Sequence, residues 1–180
     1  GSDEMLKAMN RKHTIDEYMK STDKLKKAKS NIKFSSDFII GYPGETPEDF
    51  NQSVKLMEDI KFINSYSFIF SARPGTPAFN LKKINQKEAK NRLMKFQEVA
   101  NQIKVDYRKN LINKNVNVLF ENKTKKENKY FGRDEYFNSV IVNNEEDLVG
   151  KIKNIKILNV NHNTLYGEVV SDLGKKNYAA

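Results

Sequence analysis

The sequence predicts two folds in series: an α/β part over residues 1–112, then a small all-β part over 113–171, with a loose tail at 172–180. Three observations carry that prediction. Residues 1–112 alternate helix-period stretches with two short runs rich in β-branched and aromatic residues. Each of those runs ends in a Gly/Pro corner. From about residue 114 the pattern switches to apolar–polar alternation broken by short polar turns.

Ser2 followed by Asp3 and Glu4 is an N-cap with acids in the first turn; Met5, Leu6 and Met9 give that helix its apolar face. Thr14 and Glu17 form a capping-box pair that opens a second helix running to about Ala28. Residues 34–40, FSSDFII, read as a strand that runs into Gly41. Thr46 with Pro47 opens a third helix, its buried stripe expected at Phe50, Val54, Met57 and Ile60 or Ile63. Residues 65–71, SYSFIFS, make a second strand in which Tyr66, Phe68 and Phe70 alternate with Ser67 and Ile69. Asn85 to Glu88 cap a long helix whose Ala89, Leu93, Phe96, Ala100, Ile103 and Tyr107 step at three and four.

Strand–helix–strand–helix order implies parallel strands joined by crossover helices. Both Gly/Pro corners then lie on one carboxyl edge, where α/β sheets and barrels bind ligands. So few units cannot close a sheet. The part reads as a piece of a larger (β/α) barrel.

Five short strands follow: NVNVLFE, KYFGR, YFNSVIV, KIKNIKILNV and TLYGEVV. That many strands in so short a stretch predict a small, nearly closed β-barrel of the OB type. The tail SDLGKKNYAA has no periodicity.

Composition narrows the partners. No cysteine is present, so neither a disulfide nor a thiolate-held metal forms within the chain. No apolar run approaches a membrane span, and a cytoplasmic protein without a membrane partner is expected. The net charge is +9, favouring polyanions such as RNA. The excess sits in residues 1–112, with 21 basic and 14 acidic side chains, against nine and eight in 113–170.

The corner IIGYPGETPED, residues 39–49, is the densest signal. Gly41 and Gly44 let backbone approach a ligand, Pro43 stiffens the turn, and Thr46, Glu48 and Asp49 cap the next helix. A phosphate cradle is disfavoured by Glu45 and the acids behind it, and no P-loop lysine is present. A neutral, planar ligand edge suits the corner better; a plain βα turn without ligand is the alternative. His13 and His162 have no partners at metal-ligand spacing and are expected on the surface.

DFIIGYPGETPEDF, followed by YSFIFSARPGTPA, resembles the fifth and sixth strand motifs of the radical S-adenosylmethionine (SAM) methylthiotransferases. GSDEMLKAMNRKHT resembles the family segment just after its fourth strand, and the five-strand part resembles a TRAM domain, an OB-like RNA-binding module. The sixth-strand corner, GRDEYFNSVIV and NTLYGEVV are most similar to the branch that adds a methylthio group to C2 of N6-isopentenyladenosine-37 in tRNA.

The resemblance implies a partial radical-SAM (β/α) barrel followed by a TRAM domain. It implies SAM as cofactor, with two [4Fe–4S] clusters ligated outside this chain, in an N-terminal half that is missing here. The implied partner is the tRNA anticodon loop at adenosine 37. In the family a radical derived from SAM removes hydrogen from C2, sulfur is transferred from the auxiliary cluster, and a second SAM supplies the methyl group. Without thiolates this chain alone is expected to be inactive, with no catalytic or metal-ligating residue of its own. Relatives acting on threonylcarbamoyladenosine or a ribosomal protein, and a stand-alone RNA-binding module, are the alternatives.

By the same resemblance, Asp37 to Gly41 aligns with a Gly-x-Ile-x-Gly pattern, Asp37 replacing the first Gly. Ile39 and Gly41 would flank the SAM adenine, with Pro43, Gly44 and Glu45 completing the turn. Ser2, Asp3 and Arg11 match a segment near the SAM ribose and carboxylate; a helix-end cation is the other reading of Arg11. Arg73 would meet SAM or a tRNA phosphate, or hold its own turn. In the barrel, Lys123, Lys125, Lys126, Lys129, Tyr130 and Arg133 are the RNA-binding candidates; lysines with aromatics suit single-stranded RNA. The alternative is a solvated hairpin over aromatics that fill the barrel.

Overall fold

The computed structural model describes residues 1–125 and 128–170. The chain divides into two compact units, Gly1–Lys104 and a second beginning at Val105.

In the first unit, Ser2 caps α1 (Asp3–Ala8), its Oγ accepting the Met5 N–H at 3.3 Å. Thr14 and Glu17 close a reciprocal capping box on α2 (Ile15–Ala28). Strand β1 (Ser35–Ile40) leads through the Gly41 corner into α3 (Pro47–Ile60), and β2 (Asn64–Ile69) follows. The two strands pair parallel, Ser35 opposite Asn64 through Ile40 opposite Ile69, as the crossover pattern requires. A 3-10 turn at Pro77–Asn80 precedes α4 (Gln86–Lys109).

Phe38, Ile40, Phe50, Leu56, Met57, Ile60, Phe62 and Phe96 form one buried cluster. The inner face of α3 runs through Phe50, Ser53, Leu56, Met57 and Ile60, with Val54 half-buried and Ile63 beyond the helix end. Only one face of the two-stranded sheet joins this core. Alternation places Ile39, Tyr66 and Phe68 on the other face, where they are 42, 61 and 58% exposed.

In the second unit, β3 (Asn115–Lys123), β4 (Lys129–Asp134), β5 (Ser139–Asn143), β6 (Ile152–Val160) and β7 (Thr164–Val169) match the five expected strands. They close a barrel in the order β3-β4-β5-β7-β6, with β6 pairing back to β3 and β5 parallel to β7. Closure leaves no free sheet edge within the barrel. Val118, Phe120, Tyr130, Val140, Val142, Leu148, Ile155, Ile157 and Leu165 fill it. Gly132 is demanded by closure: a Cβ there would meet the Leu119 carbonyl oxygen at 2.4 Å. The expected loose tail falls outside the described residues.

Candidate functional site

The corner after β1 is built backwards from a buried carboxylate. Glu45 is 6% exposed and folds back so that its Oε2 accepts the Gly41 N–H at 3.1 Å. Arg92 of α4, 8% exposed, places Nη1 at 2.8 Å from that oxygen and at 2.9 Å from the Glu45 carbonyl. Its Nη2 also pairs with Glu88 one helical turn back. Burial lowers the Arg92 pKa, but hydrogen bonds and charge from Glu45 and Glu88 outweigh it and keep the guanidinium charged. Gly41 has φ +75, and a Cβ there would stand 3.1 Å from the Ala89 side chain. Glycine therefore lets β1 end directly against α4.

The next turn is tied as firmly. Asp49 Oδ2 accepts the Thr46 N–H at 2.9 Å and its Oγ1 at 2.7 Å, while Oδ1 accepts the Ser2 hydroxyl. Burial raises the Asp49 pKa, yet the bonds from Ser2 and Thr46 hold it below the ordinary aspartate value. Tyr42 donates its hydroxyl to the Ala8 carbonyl at 3.1 Å, and its ring meets Phe70 at 4.8 Å edge-on. That ring contact joins the two Gly/Pro corners, which the parallel register sets on one edge.

A cavity of about 380 Å³ lies beside β1, with Ser2, Arg11, Asp37, Ile39, Glu45 and Leu56 among its lining residues. Four of the expected cofactor residues thus converge: Ser2, Arg11, Ile39 and Glu45. Ser2 and Glu45 are committed to Asp49 and to Arg92, so they shape the wall rather than offer free polar groups. Asp3 instead accepts the Ile15 N–H at 2.7 Å, stitching α1 to α2. Gly41 and Pro43 are buried within the corner, Gly44 is exposed with φ +87, and none of the three lines the cavity. Arg73 is exposed at the second corner, its carbonyl accepting the Thr76 N–H at 3.2 Å and Oγ1 at 2.7 Å. A larger groove of about 590 Å³ is lined by Asp3, Glu4, Asp16, Asp49 and Asp59 among others. No strand residue reaches it, and its carboxylates repel an anionic group, so the smaller cavity is the better candidate.

On the barrel, Lys123 and Lys125 are exposed and Lys129 and Arg133 half-buried on the outer face. Lys123 Nζ stands 5.8 Å over the Tyr130 ring. Arg133 pairs with Glu121 at 3.2 Å and lies 5.4 Å over Phe131. Tyr130 departs from expectation: it is 3% exposed in the barrel core, with no ring face open to a base. It occupies the inward phase of β4 beside Gly132 and Asp134. Lys126 lies outside the described residues. His13 and His162 are exposed, and among the described residues no group of three potential ligands could hold a metal.

Sequence reasoning missed Arg92 altogether. A signal existed: Glu88 and Arg92 are spaced i,i+4, and position 92 falls between Ala89 and Phe96 on the buried stripe of α4.

Comparison with known proteins supplies an independent finding. Residues 1–57 match the Radical SAM superfamily, and residues 109–170 match the TRAM domain. A tRNA-2-methylthio-N(6)-dimethylallyladenosine synthase of Pelagibacter ubique is 48% identical over 98% of this chain and 40% of its own length. Proteins of that name from Wolbachia pipientis (Culex pipiens) and Ehrlichia chaffeensis are 42% and 40% identical over 93% and 95% of this chain, covering 39% and 40% of their own lengths. The chain thus spans about two fifths of the length of the curated relatives it matches.

Proposed function

We infer that this chain belongs to the radical SAM methylthiotransferase family, and that it supplies one wall of a SAM site and the RNA-holding module of a tRNA transferase. The reaction assigned is addition of a methylthio group to C2 of N6-isopentenyladenosine at position 37, in the anticodon loop. The observation that carries this reading is 48% identity across 98% of the chain to a synthase named for that product.

The geometry supports it. With helices on one face and Ile39, Tyr66 and Phe68 bare on the other, β1 and β2 read as two staves of a partial (β/α) barrel, the bare face its inner wall. SAM fits the residues present: Ile39 offers the purine an apolar wall, and Arg11 in the same cavity offers a cation to the carboxylate. Bound SAM supplies the radical source and the methyl group. Gly41, Pro43, Gly44 and Glu45 hold the strand end in shape, and Arg92 keeps that shape fixed from behind. Arg73 on the same edge is assigned to a phosphate or carboxylate arriving from outside the sheet.

Iron–sulfur clusters do not fit. The chain has no cysteine to ligate one, so the thiolates and the remaining staves are assigned to the protein's N-terminal half, outside this sequence. The chain alone is therefore expected to show no transferase activity. The TRAM barrel is assigned to single-stranded tRNA through Lys123, Lys125, Lys129 and Arg133. Among the described residues no helix is long and apolar enough to cross a membrane. A cytoplasmic location is assigned from the tRNA substrate.

The test is nucleoside mass spectrometry of tRNA from the source cells with and without the gene encoding this sequence. Loss of the 2-methylthio group from isopentenyladenosine is expected. Retention of that nucleoside with loss of methylthiolated threonylcarbamoyladenosine would move the assignment to the related branch.

A further inference from the structure

Phe137 is the most solvent-exposed large hydrophobic residue described, at 75%. It also has φ +61, a left-handed conformation that bulky side chains rarely adopt. The other described non-glycine residues with positive φ are Asn10, Asn113, Asn128 and Lys61; asparagine tolerates this region and Lys61 closes α3. An aromatic ring that packs on little and strains its own backbone needs another explanation.

The turn holding it is rigid. Asp134 Oδ1 accepts the N–H groups of Tyr136 and Asn138, each at 2.9 Å, and Oδ2 accepts Asn138 Nδ2 at 2.8 Å. The Phe137 N–H donates to the Asp134 carbonyl at 3.0 Å, and the Asp134 N–H to the Asn138 carbonyl at 3.2 Å. Asp134 and Asn138 are 6% and 3% exposed, so the clamp is buried while the residue it presents is not.

The approach to Phe137 is patterned. Along β4 the outward positions are Lys129, Phe131 and Arg133, about 6–7 Å apart by strand geometry. Cation, ring and cation therefore alternate toward the turn, where Arg133 Nη1 lies 3.5 Å from the Phe137 carbonyl oxygen. The Arg133 guanidinium already lies over the Phe131 ring.

We propose that Phe137 is a base-stacking finger of the barrel: its ring receives an unpaired nucleobase while Arg133 and Lys129 take the flanking phosphates. The ligand is single-stranded RNA, because rings interleaved with cations match its alternation of bases and phosphates, whereas an apolar protein patch would give Lys129 no counter-charge and leave Arg133 with Glu121 alone. This deepens the RNA-binding reading above and rests on it.

The test uses the whole 180-residue chain and a short labelled single-stranded RNA, followed by fluorescence anisotropy at several salt concentrations. Phe137→Ala is expected to weaken binding about ten-fold or more, leaving the slope of log K against log salt unchanged. Phe137→Leu should weaken it similarly, since leucine keeps apolar bulk but has no π face. Lys129→Gln should instead lower that slope by about 0.7. Phe137→Asn, which relieves the strain, should raise the Tm of the barrel transition by a few degrees while weakening RNA binding. Equal RNA affinity for wild type, Phe137→Ala and Phe137→Leu overturns the finger and leaves RNA binding standing. Absence of RNA binding by wild type overturns both.

Discussion

Arg92 in α4 and Glu45 in the β1–α3 corner form a buried ion pair across 47 residues of sequence, Nη1 at 2.8 Å from Oε2. The same carboxylate oxygen caps the Gly41 amide at the end of β1. One guanidinium thus determines where the strand stops and how its corner faces the neighbouring cavity. Removing one member of a buried, hydrogen-bonded pair leaves the other charged and desolvated, which costs about 3–5 kcal/mol. Arg92→Ala should lower unfolding free energy by that amount in urea melts. Arg92→Lys should fall between, because an ammonium cannot serve Glu45 and Glu88 as a planar fork does. A loss under about 1 kcal/mol in Arg92→Ala would match a surface pair and contradict a structural role.

Ile39 separates function from stability. Its side chain is 42% exposed on the bare sheet face and lines the cavity, so little core is lost when it is shortened. Ile39→Ser should change stability by only about 0.5–1 kcal/mol. In the complete enzyme it should raise the KM for SAM several-fold, since the purine loses its apolar wall. An unchanged KM would remove Ile39 from the cofactor site.

What the sequence made legible here followed local rules. Thr14 with Glu17, and Thr46 with Pro47, announce helix starts because capping chemistry acts within one turn. The five barrel strands showed through as period-two alternation, and parallel pairing followed from the intervening helix. The failures have a common cause: they depend on distant partners. Arg92 falls on the buried stripe of α4, but a charge there has no role until Glu45 is brought to it. The inward phase of β4 carries Tyr130, Gly132 and Asp134 and its outward phase carries Phe131, so hydrophobicity alone could not choose the buried side. Likewise Asp3 has a cofactor's chemistry but spends its carboxylate on the Ile15 amide.

Asp49 gives the first unit an acid-sensitive joint. Burial raises its pKa, but hydrogen bonds from Ser2 and Thr46 bring it below the unfolded value. A depressed native pKa contributes stability that is full above the ordinary aspartate value, about 3.9, and is lost as pH falls through the lower native value. Wild type should therefore exceed Asp49→Asn in stability at neutral pH, with the gap closing only in strong acid. Urea melts on both proteins from neutrality to about pH 2 measure it; a gap independent of pH would show that charge at Asp49 is not what the cap uses.

Tyr107 does the converse in alkali. Burial pushes its phenol up to about 12, opposed by the Asn138 hydrogen bond and reinforced by the nearby Asp134 carboxylate. The hydroxyl accepts Asn138 Nδ2 at 3.4 Å, so the neutral phenol belongs to the network that clamps the Phe137 turn. With a native pKa above the unfolded value of about 10, its contribution is complete below that value and disappears as pH rises through the native one. Absorbance titration of tyrosinate should show a late-ionising group near pH 12 that vanishes in Tyr107→Phe. The substitution should also flatten the alkaline loss of barrel stability. Should the late step survive in Tyr107→Phe, another tyrosine carries it, and the link between this phenol and the turn fails.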